Sequence, residues 1–521
     1  MDKDEYKVVI PTAGLGSRLQ ALSQNVNKSL VSVGNRPVLS LILDRFPDDV
    51  EFVIPVGYLR DTVIDFLSIA YPDRRFNFVD VDLFEGEGSG LGYTLLKCES
   101  ALQCPFVFCS NDTIVLETIP RPDTNWMAYA NLDGDVSQYR CIGIEGSHVS
   151  EIVAKGTEGH YFPYIGLAGI HDFGAFWDGM HAGGEIAISV GESYGLRSLL
   201  PAVEAREFSW FDTGNLEALE NARNSIPSPI EANILEKEEE AIWFVGDRVI
   251  KFSTDHKFIQ NRAERAGMLQ PYVPEVIVQR SKMYAYRLVP GNVMSRGATP
   301  KNFLDLLRWL EGFWRIDEGL REATPEFRDR CMAFYRDKTA QRVIEYFARF
   351  EELDQEETIN DREAPRIKKL LELIDWDWIS KGTPVPFHGD LHFENILKTD
   401  DGFMLLDWRQ DFGGSLEEGD LYYDLAKLHH GLIVSHDIVD ANQFRIHRDG
   451  AQITVDIDRR HLLVQCERIL RRYVIEKGLD WHKTQVMTAL IFLNIAALHH
   501  HPYSIFLFYL GKSMLLEALD G

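Results

Sequence analysis

Residues suited to binding phosphate stand close together near the start of the sequence. The stretch TAGLGSRL at 12–19 holds Gly14, Gly16 and Arg18, and Lys28 follows ten residues after the arginine. Glycines leave backbone N–H groups bare for a ligand, and two cations neutralise the oxygens of a triphosphate. The pattern predicts a nucleotide-phosphate loop, with Arg18 and Lys28 as its catalytic cations.

Two common phosphate loops do not fit this stretch. A dinucleotide fingerprint needs a third glycine at the sixth position of the loop, where this chain has Leu19. A Walker A loop ends in Gly-Lys-Ser/Thr, which is missing here, and GKS at 511–513 lacks the upstream glycine. The loop therefore indicates another class of nucleotide site.

A second set of chemistry-bearing residues lies in VPFHGDLHFENILKTDDGFMLLDWRQDF at 385–412. Asp390 and Asn395 stand in a short polar loop, and Asp407 ends an apolar run. A kinase reaction needs a carboxylate beside the attacking hydroxyl and two oxygen-bearing side chains on the metal that bridges the phosphates. An Asp, an Asn five residues later and an Asp after a strand meet that need.

The elements before about residue 225 alternate between strand-like and helix-like patterns. YKVVIPTA, VEFVIPVG, FNFVDVD and PFVFCS are apolar runs of strand length, and amphipathic stretches separate them. This alternation predicts βαβ units and a mostly parallel sheet, which binds ligands at the carboxyl ends of its strands.

A change of pattern marks the boundary between two predicted domains. The prolines and acidic run within 226–240 indicate a linker between a domain at 1–225 and a domain at 241–521. AIWFVGDRVIKFS predicts a hairpin, EVIVQRSKMYAYRLVPG predicts a second strand pair, and helical patterns follow from 301. We expect a small β-rich lobe at about 241–295 and a helical lobe at about 296–521.

The first domain resembles the sugar-phosphate nucleotidyltransferase family, and its short length and VGYLRDTVIDFL resemble the phosphocholine-type cytidylyltransferases within it. TAGLGSRL…NKSL is similar to the signature G-x-G-[ST]-R with a later Lys, although Asn27 stands where the family usually has Pro. The resemblance implies a Rossmann-like α/β fold in which a monophosphate attacks the α-phosphorus of an NTP. It implies the following site residues: Ala13, Gly14, Gly16 and Ser17 at the phosphates, Gly88 and Ser89 facing the base, Lys155 at the substrate, and Asp112 and Asp212 as Mg²⁺ ligands.

The second domain resembles the choline, ethanolamine and aminoglycoside kinases, which have a two-lobed α+β protein-kinase-like fold. HGDLHFENIL…LLDW and GDLYYDLAKL are the matching stretches, but Arg409 stands where the family often has Glu. The resemblance implies Asp390 as the catalytic base and Asn395 and Asp407 as Mg²⁺ ligands. It further implies these supporting residues: Lys251 at the ATP phosphates, Glu264 as its ion-pair partner, and His388 and Asp424 to hold the catalytic loop.

Composition limits the partners. A net charge of −26 repels nucleic acid and anionic lipid, so we expect small molecules and nucleotides instead. The six cysteines form no CxxC pair, the N-terminus lacks an apolar signal-peptide core, and the apolar run 486–510 is broken by Asn494, three histidines and Pro502. These features predict a cytoplasmic protein with reduced thiols, no membrane insertion and no joint histidine metal site.

Together the two sites predict consecutive reactions in one chain. The kinase would phosphorylate a small alcohol with ATP, and the transferase would couple that phosphate to an NTP, with CTP expected. Acidic residues in 415–420 and the aromatics Trp408, Tyr422 and Tyr423 favour a cationic acceptor such as choline or ethanolamine, for a surface glycan or lipid precursor. The alternative is an anomeric sugar kinase joined to a sugar-1-phosphate nucleotidyltransferase that makes an NDP-sugar.

Overall fold

The computed structural model describes residues 5–132, 135–228 and 238–520. By its internal packing the chain divides into two compact units, Met1–His256 with Ile277–Leu288, and Lys257–Val276 with Val289–Gly521. Most of the predicted linker, residues 229–237, lies outside the described residues. The predicted domain boundaries stay a prediction, and this division places the predicted small-lobe strands with the first unit rather than the second.

The strands up to residue 225 are β1 Lys7–Val9, β2 Ser32–Val33, β3 Arg36–Pro37, β4 Glu51–Val56, β5 Arg75–Asp80, β6 Phe106–Cys109, β7 Thr113–Val115, β8 Trp126–Tyr129, β9 Cys141–Glu145, β10 His148–Val153, β11 Phe162–Ile170, β12 Glu204–Glu207 and β13 Trp210–Asp212. The helices of this part are α1 Val38–Leu43, α2 Arg60–Ala70, α3 Leu91–Cys98, α4 Phe173–Val190, α5 Glu192–Arg197 and α6 Leu216–Ser225.

A nine-stranded sheet in the order β5-β4-β1-β6-β11-β8-β12-β10-β9 forms the centre of the first unit. Its strands β5, β4, β1 and β6 are parallel neighbours, as the βαβ pattern predicts. The rest is mixed, because β11 runs antiparallel to β6 and β8. The expected mostly parallel sheet is thus observed only in its first half. Since β1 and β6 are adjacent and parallel, the loops that follow them leave the same edge of the sheet.

The remaining strands are β14 Glu240–Val245, β15 Arg248–Ser253, β16 Val276–Gln279, β17 Met283–Arg287, β18 Asn292–Val293, β19 Glu357–Ile359, β20 Arg362–Ala364, β21 Pro384–Val385, β22 Ile396–Thr399, β23 Gly402–Leu405, β24 Gly419–Asp420, β25 Phe444–Asp449 and β26 Gln452–Ile457. The remaining helices are α7 His256–Met268, α8 Met294–Gly297, α9 Pro300–Phe313, α10 Pro325–Met332, α11 Lys338–Phe350, α12 Ile367–Leu373, α13 Trp376–Ser380, α14 Leu421–Ile433, α15 His436–Asp440, α16 His461–Glu476, α17 Trp481–Ala496 and α18 Tyr503–Asp520.

The sheet β14-β15-β17-β16 contains both predicted strand pairs, and its apolar side joins the core of the first unit. Trp243 on β14 is fully buried and meets Phe66 of α2 edge to face, with ring centroids 5.2 Å apart. The Arg248 guanidinium donates to the Ile69 carbonyl at the end of the same helix. Apolar burial of this kind stabilises by about 25 cal/mol per Å², so this sheet and α2 support each other.

The second unit is mainly helical, and it contains a sheet that the helical pattern did not predict. The pair α17 and α18 accounts for the apolar run near the C-terminus as two helices with many buried residues. The sheet β20-β19-β26-β25 is the addition. Within the described ranges, none of the helices is both long and apolar enough to cross a bilayer. All six cysteines are free thiols, and all except Cys104 are buried.

Candidate active sites

Hydrogen bonds to buried backbone groups fix the conformation of the loop after β1. The Ala13 carbonyl accepts the Tyr58 N–H at 2.9 Å, while Gly14 and Ser17 face solvent. Gly16 has φ 70°, and a Cβ built on it would lie 2.7 Å from the Lys28 Cβ. This position therefore requires glycine for two reasons, the left-handed backbone and the close passage of the loop over Lys28.

Arg18 and Lys28 converge on Asp112. The Lys28 Nζ lies 3.3 Å from the Asp112 Oδ2, and the Arg18 Nη2 lies 3.8 Å from the same oxygen. Burial alone would raise the pKa of the Asp112 carboxyl, but Lys28, the Ser110 hydroxyl and Arg18 together hold it below its usual range. Three of the predicted site residues thus share one ionised cluster, and the Arg18 side chain remains 63% exposed toward a ligand.

Asp212 reaches the same place from β13, which pairs with β7 so that Asp212 lies opposite Thr113. A Cβ built on Gly214 would lie within 3.3 Å of the Asp212 Oδ1, the Arg18 Nη2 and the Asp112 Oδ2, so these atoms surround one point. Burial raises the pKa of Asp212, and the charge of Asp112 raises it further. The hydrogen bond from the Gly214 N–H lowers this pKa but does not cancel the rise.

Two residues that position this cluster were not singled out from the sequence. Asn27 is fully buried, and its side-chain amide donates to the carbonyls of Thr12 and Tyr58 at 3.0 and 2.8 Å. Its Oδ1 accepts the Ser29 N–H and thereby fixes the turn that carries Lys28. Tyr139 donates to the Asp212 Oδ2 at 3.2 Å. The signal for Asn27 was its departure from the family's proline, which marked the position but gave no role.

The remaining predicted residues of this unit lie on exposed segments. Gly88 and Ser89 belong to the loop before α3, where the Ser89 hydroxyl donates to the Gly86 carbonyl at 2.6 Å. Lys155 stands in the exposed turn after β10 and, among the described residues, pairs with no carboxylate. The base-facing role of the loop and the substrate role of Lys155 stay predictions.

The chemistry of the donor atoms fits Mg²⁺ in this cluster. Asp112 and Asp212 offer carboxylate oxygens, which this hard cation prefers, and it usually keeps several waters besides one or two carboxylates. In the described part of the chain no cluster of three or more His, Cys, Asp and Glu side chains forms a closed metal cage. Asp112 and Asp212, which lie near Arg18, suit a Mg²⁺ ion that is bound together with the phosphates of a nucleotide.

Replacing Gly16 by alanine is expected to destabilise the first unit by about 1–2 kcal/mol, the usual cost of a left-handed non-glycine residue. The added methyl would also displace Lys28 and lower the rate of pyrophosphate release. Scanning calorimetry and a pyrophosphate assay measure the two effects. Gly14→Ala is the matched control for stability, because nothing lies within 4 Å of the Cβ built on Gly14. Equal melting temperatures for the two variants would refute the steric argument.

In the second unit, Asp390 lies in a loop of charged and polar side chains. Lys427 on α14 places its Nζ 2.8 Å from the Asp390 Oδ1, and the Asn395 amide donates to the Asp390 carbonyl at 2.9 Å. Desolvation opposes the charge on Asp390, yet Lys427 and His392 hold its pKa well below the usual range. Lys427 was missed in the sequence, although it stands three positions after Asp424 and so on the same helix face.

Asp424 and His388 support the loop from behind. The two carboxylate oxygens of the fully buried Asp424 accept the backbone N–H groups of His388 and Gly389 at 2.8 and 2.7 Å. Burial lowers the pKa of His388 to about 4, so the ring is neutral. Its Nε2 therefore donates to the Leu406 carbonyl, while its Nδ1 accepts the Asp390 N–H. One imidazole thus links the segments of Asp390 and Asp407.

Asn395 and Asp407 come together through the β22–β23 hairpin. The Leu406 N–H donates to the Asn395 carbonyl at 2.8 Å, and Arg262 on α7 forms an ion pair with the Asp407 Oδ1. The Asn395 amide nitrogen donates to the Asp390 carbonyl, so its Oδ1 is not needed for that contact. An amide oxygen and a carboxylate fit the oxygen preference of Mg²⁺.

A buried arginine that the sequence did not point to holds this site together. Arg265 on α7 is fully buried and donates to the carbonyls of Leu416, Arg409 and Phe387, and its guanidinium stacks 4.0 Å from the Phe387 ring centroid. No carboxylate forms an ion pair with it among the residues that the structure describes, so it serves as a fork of N–H donors.

Arg265→Met is expected to lower the stability of the second unit by about 3 kcal/mol, because three buried carbonyls lose their donors. ADP formation should fall with it, since the loops of Asp390 and Asp407 lose their common support. Calorimetry and an ADP assay measure the change, and Gln260→Met on the exposed side of the same helix is the control. Unchanged stability in Arg265→Met would contradict the assigned role.

Lys251 and Glu264 fall in different units. Lys251 lies on β15 and is buried, as the strand pattern indicates, whereas Glu264 is exposed on α7. Their ion pair stays a prediction.

Most of the residues from which a cationic acceptor was expected are engaged within the fold, whereas Glu417 is exposed. Trp408 is fully buried and donates to the Arg262 carbonyl. The Tyr422 hydroxyl accepts the Asp480 N–H. Glu418 pairs with Arg321 and Arg330. The buried Asp420 caps α14 and, like Glu418, is engaged within the fold; Tyr423 is also buried.

Comparison with known proteins gives separate matches for the two parts of the chain. Residues 256–458 match the phosphotransferase enzyme family (APH). This part of the chain is therefore similar to phosphotransferases. The N-terminal part is similar to nucleotidyltransferases. The bifunctional protein GlmU of Methanococcus vannielii is 24% identical over 107 residues, which are 20% of this chain and 24% of that protein. The UTP–glucose-1-phosphate uridylyltransferase AglF of Haloferax volcanii is 26% identical over 110 residues, 21% of this chain and 44% of that one.

These matches span between about a quarter and under half of the length of the curated relatives. A crystal structure of a glucose-1-phosphate thymidylyltransferase from Bacillus anthracis is 18% identical, with a TM-score of 0.36; the match covers 45% of this chain and 98% of that one.

Proposed function

We propose that the chain is a bifunctional transferase. Its C-terminal phosphotransferase-family part phosphorylates a small alcohol with ATP, and its N-terminal nucleotidyltransferase-like part couples the product to an NTP. The observation that supports this best is that each unit holds one cluster of an aspartate with its polar and cationic neighbours. Arg18 and Lys28 surround Asp112 in the first unit, and Asn395 and Lys427 surround Asp390 in the second.

In the proposed kinase step, the hydroxyl oxygen of the alcohol attacks the γ-phosphorus of ATP. The new O–P bond forms as the bond to the β,γ-bridging oxygen breaks, ADP leaves, and the hydroxyl proton passes to Asp390. A carboxylate with so low a pKa is a weak base, which suffices because the transition state is loose and the proton moves late. Asp390 therefore mainly orients the hydroxyl, and Asn395 and Asp407 are the residues that would hold Mg²⁺, which neutralises phosphate charge when bound.

In the proposed transferase step, a phosphate oxygen of that product attacks the α-phosphorus of the NTP. The bond from the α-phosphorus to the oxygen bridging the β-phosphorus breaks, and pyrophosphate leaves. Negative charge grows on the α-phosphate and on the leaving group, where Arg18 and Lys28 stabilise it. Asp112 and Asp212 would hold Mg²⁺ at this site.

The resemblance of the sequence supports an amino alcohol or polyol as acceptor and CTP as the nucleotide, giving a CDP-linked precursor for a surface glycan or lipid. For a bare cation such as choline, Glu418 and Trp408 offer little, since both are engaged within the fold, whereas Glu417 is exposed.

A two-product assay tests the proposal. The full chain is incubated with ATP, a panel of alcohols and each of the four NTPs, and ADP and pyrophosphate are measured separately. We expect pyrophosphate release only in reactions that also form ADP or that are supplied with a phosphorylated alcohol. Among the four NTPs, we expect CTP to give this release. Pyrophosphate release that needs neither would refute the coupled sequence.

A further inference from the structure

Next to Asp390, the second unit carries a group of cations that the reaction steps above do not use. Arg409 lies directly beside the catalytic loop, because its N–H donates to the His388 carbonyl at 2.8 Å and a Cβ built on Gly389 would lie 2.7 Å from the Arg409 Cβ. Its guanidinium lies 4.9 Å from the centroid of the Phe334 ring. Lys338, at the start of α11, lies 4.4 Å from the same centroid.

These cations are only weakly compensated: the charge of Asp411 favours the protonated form of Lys338, but the Asp411 carboxylate accepts the Gly414 N–H. Among the described residues neither Arg409 nor Lys338 forms an ion pair, and the Arg409 Nε is buried without a hydrogen-bond acceptor. The carboxylate that Lys427 binds is Asp390 itself. Burial, followed by the charges of Arg409, Lys427 and Arg342, lowers the pKa of Lys338 to about 7, so these groups repel one another.

Such an arrangement is costly unless an anion joins it. Like charges in a half-buried site destabilise the fold, and a buried N–H without an acceptor adds to that cost. The chain has a net charge of −26, so the concentration of positive charge here runs against its overall composition. Lys427, whose charge acts on Lys338, also binds Asp390, so these cations lie near the carboxylate that would orient the attacking hydroxyl.

We propose that the alcohol phosphorylated by this site carries an anionic group, a carboxylate or a phosphonate, which Arg409 and Lys338 bind while Asp390 orients the hydroxyl. The inference rests on the proposed kinase function and narrows its substrate to small hydroxy acids, including sugar acids and zwitterionic amino alcohols with an acid group. Both cations contact the ring of Phe334. A planar carboxylate matches the fork of the Arg409 guanidinium.

Matched pairs of alcohols test the charge directly. The full chain is assayed for ADP release with glycerate against glycerol and with glycolate against ethanolamine, and choline is included. We expect kcat/KM for the anionic member to exceed that for its neutral or cationic counterpart by about 100-fold, the usual effect of a charge-assisted bidentate contact. Higher efficiency with choline than with glycerate would overturn the proposal while leaving the kinase function standing.

Variants locate the binding. Arg409→Met and Lys338→Met should raise KM for glycerate by about 10- to 100-fold and leave KM for ATP unchanged, whereas Arg409→Lys should restore part of the affinity. Arg336→Gln, an exposed arginine two positions from Lys338, is the control and should behave as wild type. A rise in KM for ATP instead would assign the cations to the nucleotide and overturn the proposal.

Calorimetric titration of glycerate and of inorganic phosphate into the full chain, with a non-hydrolysable ATP analogue present, separates binding from turnover. Binding that is lost in Arg409→Met, without ADP release from any alcohol, would support the anion pocket and overturn the kinase function. Absence of both binding and turnover would overturn the pocket.

Discussion

Asp390→Asn is expected to abolish ADP formation, with a fall in kcat of about 10³-fold or more, while pyrophosphate release from a supplied phosphorylated alcohol stays unchanged. The substitution keeps the shape of the side chain but removes the charge that orients the hydroxyl and accepts its proton. It also leaves the Lys427 ammonium unpaired. Separate assays of ADP and of pyrophosphate on the same preparation measure the loss of the kinase reaction and the retention of the transferase reaction.

A matched control for this variant is Asp401→Asn, which lies in the exposed turn between β22 and β23. It should retain full activity in both assays. If Asp390→Asn formed ADP at the wild-type rate, Asp390 would not be the group beside the hydroxyl, and the proposed kinase site would be wrong.

The reciprocal result is expected from Lys28→Met. Loss of this cation should lower the rate of pyrophosphate release by about 10²- to 10³-fold, the usual effect of removing one group that stabilises transition-state charge. Asp112 would lose its 3.3 Å partner, and its pKa would rise toward the value that burial favours. ADP formation should not change, because Asp390, Asn395 and Asp407 belong to the other unit.

Lys97→Met serves as the control for this second variant, since Lys97 pairs with the exposed Asp82 on the surface. Melting temperatures should accompany both assays, to separate a lost cation from a damaged fold. A Lys28→Met protein that is folded and still releases pyrophosphate at the rate of Lys97→Met would refute the role of Lys28.

The sequence predicted site residues best where they directly follow strands that are neighbours in the sheet. Arg18 follows β1 and Asp112 follows β6, and the apolar runs before them identified both strands. Adjacent parallel strands bring such loops together, so their meeting could be expected. Asp212 arrives through the antiparallel pairing of β13 with β7, a long-range contact that no local pattern announces.

The sequence also held signals for one hairpin and for Lys427 that were not used, and it held no signal for the burial of Arg265. The hairpin β25–β26 has alternating residues around an Asp-Gly turn at 449–450, which is an ordinary hairpin signal overlooked within a helical region. Lys427 shares a helix face with Asp424 and could have been found. Arg265 could not, because an arginine on an amphipathic helix gives no sign that its guanidinium is buried among carbonyls.

The sheet β14–β17, whose Trp243 packs on Phe66 of α2, sets a limit on how this protein can be divided. A fragment begun at residue 241 would keep Lys251 but lose the apolar cover of its strands, and one begun after His256 would leave that lysine behind. Neither of these two fragments should therefore fold with all of its strands covered. A fusion of the kinase part to another transferase would also have to include α2.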